Sequence, residues 1–187
     1  MAEEYKIIKG LPEKFHDQLI AYTNAPEEYE VREDGDGERF CNKEALNEWL
    51  KKGRTCYVVT DPEEKELLGL YWFGKKELPE NFTYTEKLDP KKYGYTNALR
   101  LYGRLRGIGL GRQIYNEVTR MFMQSPDYDG TGMWGLTKSG VTLKVCAPSG
   151  MYPVTIPAID TSIKTDPRTN PEVIFIATDE ELKKALF

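Results

Sequence analysis

The chain has 187 residues and a formal net charge of −4, with 40% hydrophobic and 30% charged residues. That length suits one ordinary domain over residues 1–187, with apolar material for a core and charges too evenly mixed for a disordered chain. The acidic balance argues against nucleic acid as a partner, no apolar run approaches the ~18 residues of a membrane span, and Met1-Ala2-Glu3-Glu4-Tyr5 lacks a basic and apolar leader, so a cytoplasmic protein is expected.

Residues 5–9 read as a short strand closed by Gly10, and Pro12 suits the first turn of a helix whose apolar stripe is Phe15, Leu19, Ile20 and Tyr22. His16, the single histidine, is expected on the surface of that helix. Chemistry that depends on imidazole, catalytic or metal-binding, is therefore not expected. Between Glu27 and Glu38 acids dominate, opposed only by Arg32. The run Asp34-Gly35-Asp36-Gly37 resembles the start of a calcium loop, but Arg39 stands where that motif needs a glycine, so a solvated loop and no metal site are expected. Asn42 would cap a helix over residues 43–52, with Ala45, Leu46, Trp49 and Leu50 on one face and Gly53 as its stop.

Residues 55–60 and 67–73, β-branched and aromatic around a polar turn at 61–65, predict an antiparallel hairpin. Residues 79–90 form a polar, aromatic excursion. A strand follows at 95–102 and runs into a glycine-rich turn. A helix then spans 110–124, with Ile114, Val118, Met121 and Phe122 at three- and four-residue spacing. Further on, residues 132–136 and 141–146 look like strands separated by a turn at 138–140. A short strand is expected at 154–156 and a strong one at 173–177. Thr178 or Asp179 would cap a closing helix through Leu186. Cys41, Cys56 and Cys146 are far apart and odd in number, which predicts buried free thiols. The order of elements implies a mixed α/β sandwich.

The informative segment is Arg106-Gly107-Ile108-Gly109-Leu110-Gly111 between a strand and a helix. Glycines let backbone come close to a ligand, and the first turn of the next helix presents amides with no internal acceptor. Arg104, Arg106 and Arg112 add positive charge, within a stretch from Lys91 to Arg120 that carries Glu117 as its one acid. The segment is an anion cradle by its chemistry, and spacing separates the known kinds. No Gly-x-x-x-x-Gly-Lys-Ser/Thr loop is present. A dinucleotide fingerprint counted from Gly107 would need its third glycine at position 112, where Arg112 stands.

Arg106, Gly109 and Gly111 instead match in full the motif Arg/Gln-x-x-Gly-x-Gly/Ala, and by it the chain resembles the GNAT acetyltransferases. From Tyr5 to about Gln124 the order of elements is also similar to theirs: a strand, two helices, a hairpin, the cofactor strand and the cofactor helix. The resemblance implies a mixed, mostly antiparallel sheet flanked by helices, with acetyl-CoA as cosubstrate. It implies that Leu99 and Leu101 lie on the strand that holds the pantetheine arm, and that the Leu101 backbone amide is nearest the thioester carbonyl. Gly107, Ile108, Gly109, Leu110, Gly111 and Arg112 would hold the pyrophosphate, with Arg104 and Arg106 beside it.

The implied reaction is direct attack of a primary amine on the thioester. Two departures from the family's pattern stand out. Many members place a glutamate base on the cofactor strand, but residues 95–102 hold no acid, so Glu86 or Asp89 just upstream becomes the candidate base. The family commonly carries a helix with a proton-donating tyrosine after its fifth strand. Here residues 146–153 make a poor helix, Tyr152 is the nearest candidate acid, and the C-terminal third is expected to be remodelled. The acidic stretch between the first two helices would favour a cationic amine. Two alternatives stay open: a GNAT-fold CoA-binding protein without catalysis, and an interaction module whose basic turn binds another phosphate.

Overall fold

In the computed structural model, residues 4–25, 39–80, 82–105, 107–137, 140–155 and 173–187 are described, and they form seven strands and five α-helices. The acidic stretch Glu27–Glu38, Arg106, Lys138, Ser139 and Ile156 lie outside the described residues. The strands follow the hydrogen-bonded order β1-β2-β3-β4-β5-β7-β6. Two compact units divide the chain, Met1–Gly74 with Ala98–Gly111 and Lys75–Asn97 with Arg112–Phe187.

The first unit holds β1 (Lys6–Lys9), α1 (His16–Asn24), α2 (Lys43–Leu50), β2 (Thr55–Thr60) and most of β3 (Leu67–Lys75). β1 pairs antiparallel with β2, Ile8 opposite Val58, and β2 pairs antiparallel with β3, Val58 opposite Leu70. The expected hairpin is therefore present. Its turn is organised by Asp61, whose Oδ1 accepts the Lys65 and Glu66 amides at 2.7 Å each, an Asx-type closure. Phe15, Leu19, Leu46, Trp49, Val58, Leu70 and Tyr102 form one apolar cluster. Burying each large side chain of this kind contributes about 1.5–3 kcal/mol. The Asn42 carboxamide oxygen accepts the Ala45 amide at 2.9 Å, the cap read from the sequence.

Two expectations fail in this unit. His16 is buried, 8% exposed, with Nε2 at 3.4 Å from the Leu11 carbonyl, not on the helix surface. A 3-10 turn over Glu13–Phe15 leads into α1 and changes the angular position of the next side chain. Cys41 is exposed although Cys56 and Cys146 are buried, because its neighbour Phe40 takes the core position at 2% exposure.

The second unit holds the start of β4 (Tyr95–Leu101), then α3 (Gly111–Met123), β5 (Met133–Thr137), α4 (Gly140–Cys146), β6 (Tyr152–Pro153), β7 (Val173–Ala177) and α5 (Asp179–Leu186). β4 and β5 run parallel, paired at Tyr95 with Met133 and Thr96 with Trp134. β7 is antiparallel to both β5 and β6. Gly135 lies opposite Phe175, whose ring reaches to within 2.2 Å of where a Cβ on Gly135 would stand. Only a glycine leaves room for that ring. Thr178 and Glu181 form a reciprocal capping box at the start of α5.

Residues 141–146, expected as a strand, are helix α4. Gly140, Leu143 and Cys146 are buried three residues apart while Val141 is 49% exposed, so burial selects a helical period over the β-branched preference of Val141, Thr142 and Val145. The short strand expected at 154–156 lies earlier, at Tyr152–Pro153, and Thr155 makes an isolated bridge to Tyr84. That bridge shows where the aromatic excursion goes. Phe82, Tyr84 and Leu88 pack on Leu78, Tyr93, Trp134, Val154, Ile174 and Ile176. Among the described residues no helix is long and apolar enough to cross a membrane.

Candidate functional site

β4 delivers the chain to the glycine turn. Tyr102 closes the strand: its amide donates to the Leu68 carbonyl at 2.8 Å, and its ring stacks on Tyr22 at 4.8 Å with the planes 3° apart. A 3-10 turn over Gly103–Leu105 follows, and Leu105 is fully buried, which pins the turn. Gly107 and Gly109 then adopt φ of +78° and +88°, a region L-side chains rarely enter, and α3 opens at Gly111. A Cβ built on Gly107 or Gly109 meets nothing within 4 Å among the described residues, so the backbone there faces open space. Ile108 is half exposed, at 50%. Exposed backbone leading into the first turn of a helix is the arrangement an anion needs.

α3 is well anchored for that task, since Ile114, Tyr115, Val118, Thr119 and Phe122 are buried. The hydroxyl of Tyr115 donates to the Asn97 carboxamide oxygen at 3.3 Å and approaches the Met151 sulfur at 2.8 Å. Ser149 donates to the Asn116 carboxamide oxygen at 2.5 Å. Together these tie α3 to the start of β4 and to the 3-10 turn over Ala147–Ser149.

The basic residues divide. The Arg104 guanidinium lies 3.4 Å from the Glu66 carboxylate, so part of its charge is already matched. Arg112 is exposed. Arg106 lies outside the described residues. Leu99 and Leu101 are half-buried on β4. Between them sits Arg100, a residue the motif does not flag. Its Nη2 is buried, below 1 Å² exposed, and has no hydrogen-bond partner among the described residues.

The candidate acid–base residues also divide. Tyr84 bridges Thr155, and the Thr85 amide donates to the Val154 carbonyl at 2.8 Å, which brings Glu86 beside Tyr152 across 66 residues of sequence. Tyr152 shares a hydrogen bond with Tyr93. Burial foremost, then the charges of Glu181 and Glu86, hold the Tyr152 hydroxyl above its usual range, against the bond to Tyr93. Burial and the same neighbours push Tyr93 up to about 12. Both hydroxyls therefore keep their protons at neutral pH. Asp89 is placed differently: its carboxylate accepts the Lys91 amide at 3.2 Å and caps a 3-10 turn. The sequence brought Glu86 and Tyr152 forward only as neighbours of other elements. Tyr93 and Arg100 went unread because nothing in their spacing marks them.

No family model matches the chain, and no curated protein matches it by sequence. Solved structures do match. One is spermidine N-acetyltransferase from Vibrio cholerae in complex with CoA and spermine, at TM-score 0.64 and 10% identity over 96% of this chain and 98% of that one. Another is an aminoglycoside acetyltransferase in complex with coenzyme A and kanamycin, at TM-score 0.61 and 14% identity over 96% and 98%. A GNAT-family acetyltransferase from Staphylococcus aureus Mu50 follows at TM-score 0.54 and 9% identity over 94% and 99%. At such identities the likeness establishes the fold. The chain has the GNAT fold, a mixed seven-stranded sheet flanked by helices, as the glycine motif implied.

Proposed function

We propose that the protein is an acetyl-CoA-dependent N-acetyltransferase that acts on a primary amine by direct attack. The observation that carries this reading is the open backbone at Gly107 and Gly109 leading into α3, on a fold shared with acetyltransferases crystallised with CoA. The amides from Ile108 to Arg112 would hold the pyrophosphate, and Leu99 and Leu101 would line the pantetheine arm. Bound acetyl-CoA would supply an activated acyl group.

The chain's own part is positioning, charge and proton transfer. The Leu101 amide would donate to the oxygen that becomes negative when the amine attacks. Glu86 would take a proton from the ammonium form of the acceptor, directly or through water. Tyr152, kept protonated, would give one to the departing thiolate. Asp89 is the lesser candidate for base, because its carboxylate already serves the Lys91 amide. The acidic stretch from Glu27 to Glu38 supports an acceptor with positive charge. Structural relatives bind spermine and kanamycin, which are amines of that kind.

Calorimetric titration with acetyl-CoA tests the reading, run beside a Gly109→Trp variant that fills the open space over the turn. Binding in the micromolar range that the folded variant loses supports it. No binding to folded wild-type protein overturns it. A second reading, a CoA-binding protein without catalysis, is favoured by the lack of any acid on β4, and binding without turnover across a panel of amines would support it.

A further inference from the structure

Arg100 sets a problem that the acetyl-transfer reading leaves unsolved. It stands on β4 between Leu99 and Leu101, next to the amide expected to hold the thioester carbonyl. The residue as a whole is half-buried, but its Nη2 is enclosed, below 1 Å² exposed, with no hydrogen-bond partner among the described residues. A guanidinium always carries its charge, and an enclosed donor without an acceptor costs about 1–3 kcal/mol, more when charged. The strand that could have carried a carboxylate to match it, residues 95–101, has none.

A cation kept in that condition is a receptor for an anion that arrives with a ligand. We propose that Arg100 recognises a carboxylate on one of the two substrates, so that the reaction joins an amine and an acyl group of which one is also a carboxylic acid. This rests on the reading of the protein as a CoA-dependent N-acyltransferase and names the substrate class within it, replacing acetyl by a dicarboxylic acyl group if the donor bears the carboxylate. The carboxylate has two possible bearers: an amino acid used as acceptor, or a dicarboxylic acyl group on the CoA donor. Planar, bidentate recognition by Arg suits either.

Matched pairs decide. Lysine against cadaverine and ornithine against putrescine differ at the acceptor only by the carboxylate; succinyl-CoA against butyryl-CoA differ at the donor in the same way. For wild-type protein kcat/KM should favour the carboxylate-bearing member of the acceptor pairs or of the donor pair by at least about tenfold, the worth of one charge-assisted hydrogen bond. In Arg100→Met that preference should collapse toward one, with acetyl-CoA binding by calorimetry retained. Arg100→Lys, which keeps the charge, should recover part of it and serves if the Met variant fails to fold. A wild-type preference for the carboxylate-free partners in every pair, or a preference unchanged in the variants, overturns the proposal. If wild-type protein binds no acetyl-CoA, the acetyltransferase reading itself has fallen; if it binds but shows no preference in any pair, only the role of Arg100 has.

Discussion

Gly69 is the position where one methyl group should test both packing and function. It lies in β3, buried, opposite Val59. A Cβ there would stand 2.8 Å from Leu101 Cδ2 and 2.9 Å from the Arg100 carbonyl oxygen, where ordinary contact begins at 3.4 Å. The leucine methyl can rotate away. The carbonyl is backbone and cannot, so Gly69→Ala must displace β4 by about 0.5 Å at Arg100. Overpacking of this kind costs about 1–3 kcal/mol, offset by about 0.4–1 kcal/mol from a stiffer unfolded chain. A net loss of about 1–2 kcal/mol is expected in urea denaturation. On the proposed reading the displacement also moves the Leu101 amide away from the developing oxyanion. A 1 Å misplacement can cost about 100-fold, so about half that shift predicts roughly a tenfold loss of kcat/KM, measured by release of free thiol from acetyl-CoA. Wild-type stability together with unaltered kcat/KM in Gly69→Ala would refute the reasoning.

Other expectations concern single groups. Tyr152→Phe should lower kcat about 100-fold and leave acetyl-CoA affinity unchanged, because the lost hydroxyl acts on the leaving thiolate and not on binding. Since the folded Tyr152 hydroxyl is held above its ordinary value of 10.0, its deprotonation should not limit wild-type activity below that pH; an unchanged kcat in the variant would rule out the acid role. Asp129 offers a pH test of stability. Burial alone would raise its carboxyl, but the Lys75 ammonium at 2.7 Å and two hydrogen bonds from Thr131 hold it at about 2. A depressed folded value means that its contribution is full above the ordinary 3.8 and is lost as pH falls toward 2. Asp129→Asn should therefore be less stable than wild type at pH 7, by about 0.5–1 kcal/mol after solvent screening of this partly exposed pair, with the gap closing as the pH falls through the folded value. A gap that persists in acid would count against the ion pair as its source.

Much of this architecture can be read from local sequence. The Asn42 cap, the hairpin around Asp61, the helix bearing Ile114, Val118 and Phe122, and the strand over 173–177 each follow from contacts between near neighbours, and the structure has them. Spacing also marks the glycine turn, because the positive φ found at Gly107 and Gly109 is a region glycine enters at least cost. What tertiary structure decided is of another kind. Residues 141–146 satisfy either a strand or a helix in isolation, and burial of Leu143 and Cys146 on one side chose the helix. His16 went inside because a 3-10 turn ahead of α1 rotated it, a change of angle that composition does not record. Glu86, Tyr93 and Tyr152 meet because Tyr84 bridges Thr155, and the burial of the Arg100 Nη2 depends on what surrounds a strand whose own sequence shows only an arginine among leucines. Local preference acts through bonds and turns a few residues long; the meeting of distant side chains is set by which surfaces exclude water together, and that is known only when the chain has folded.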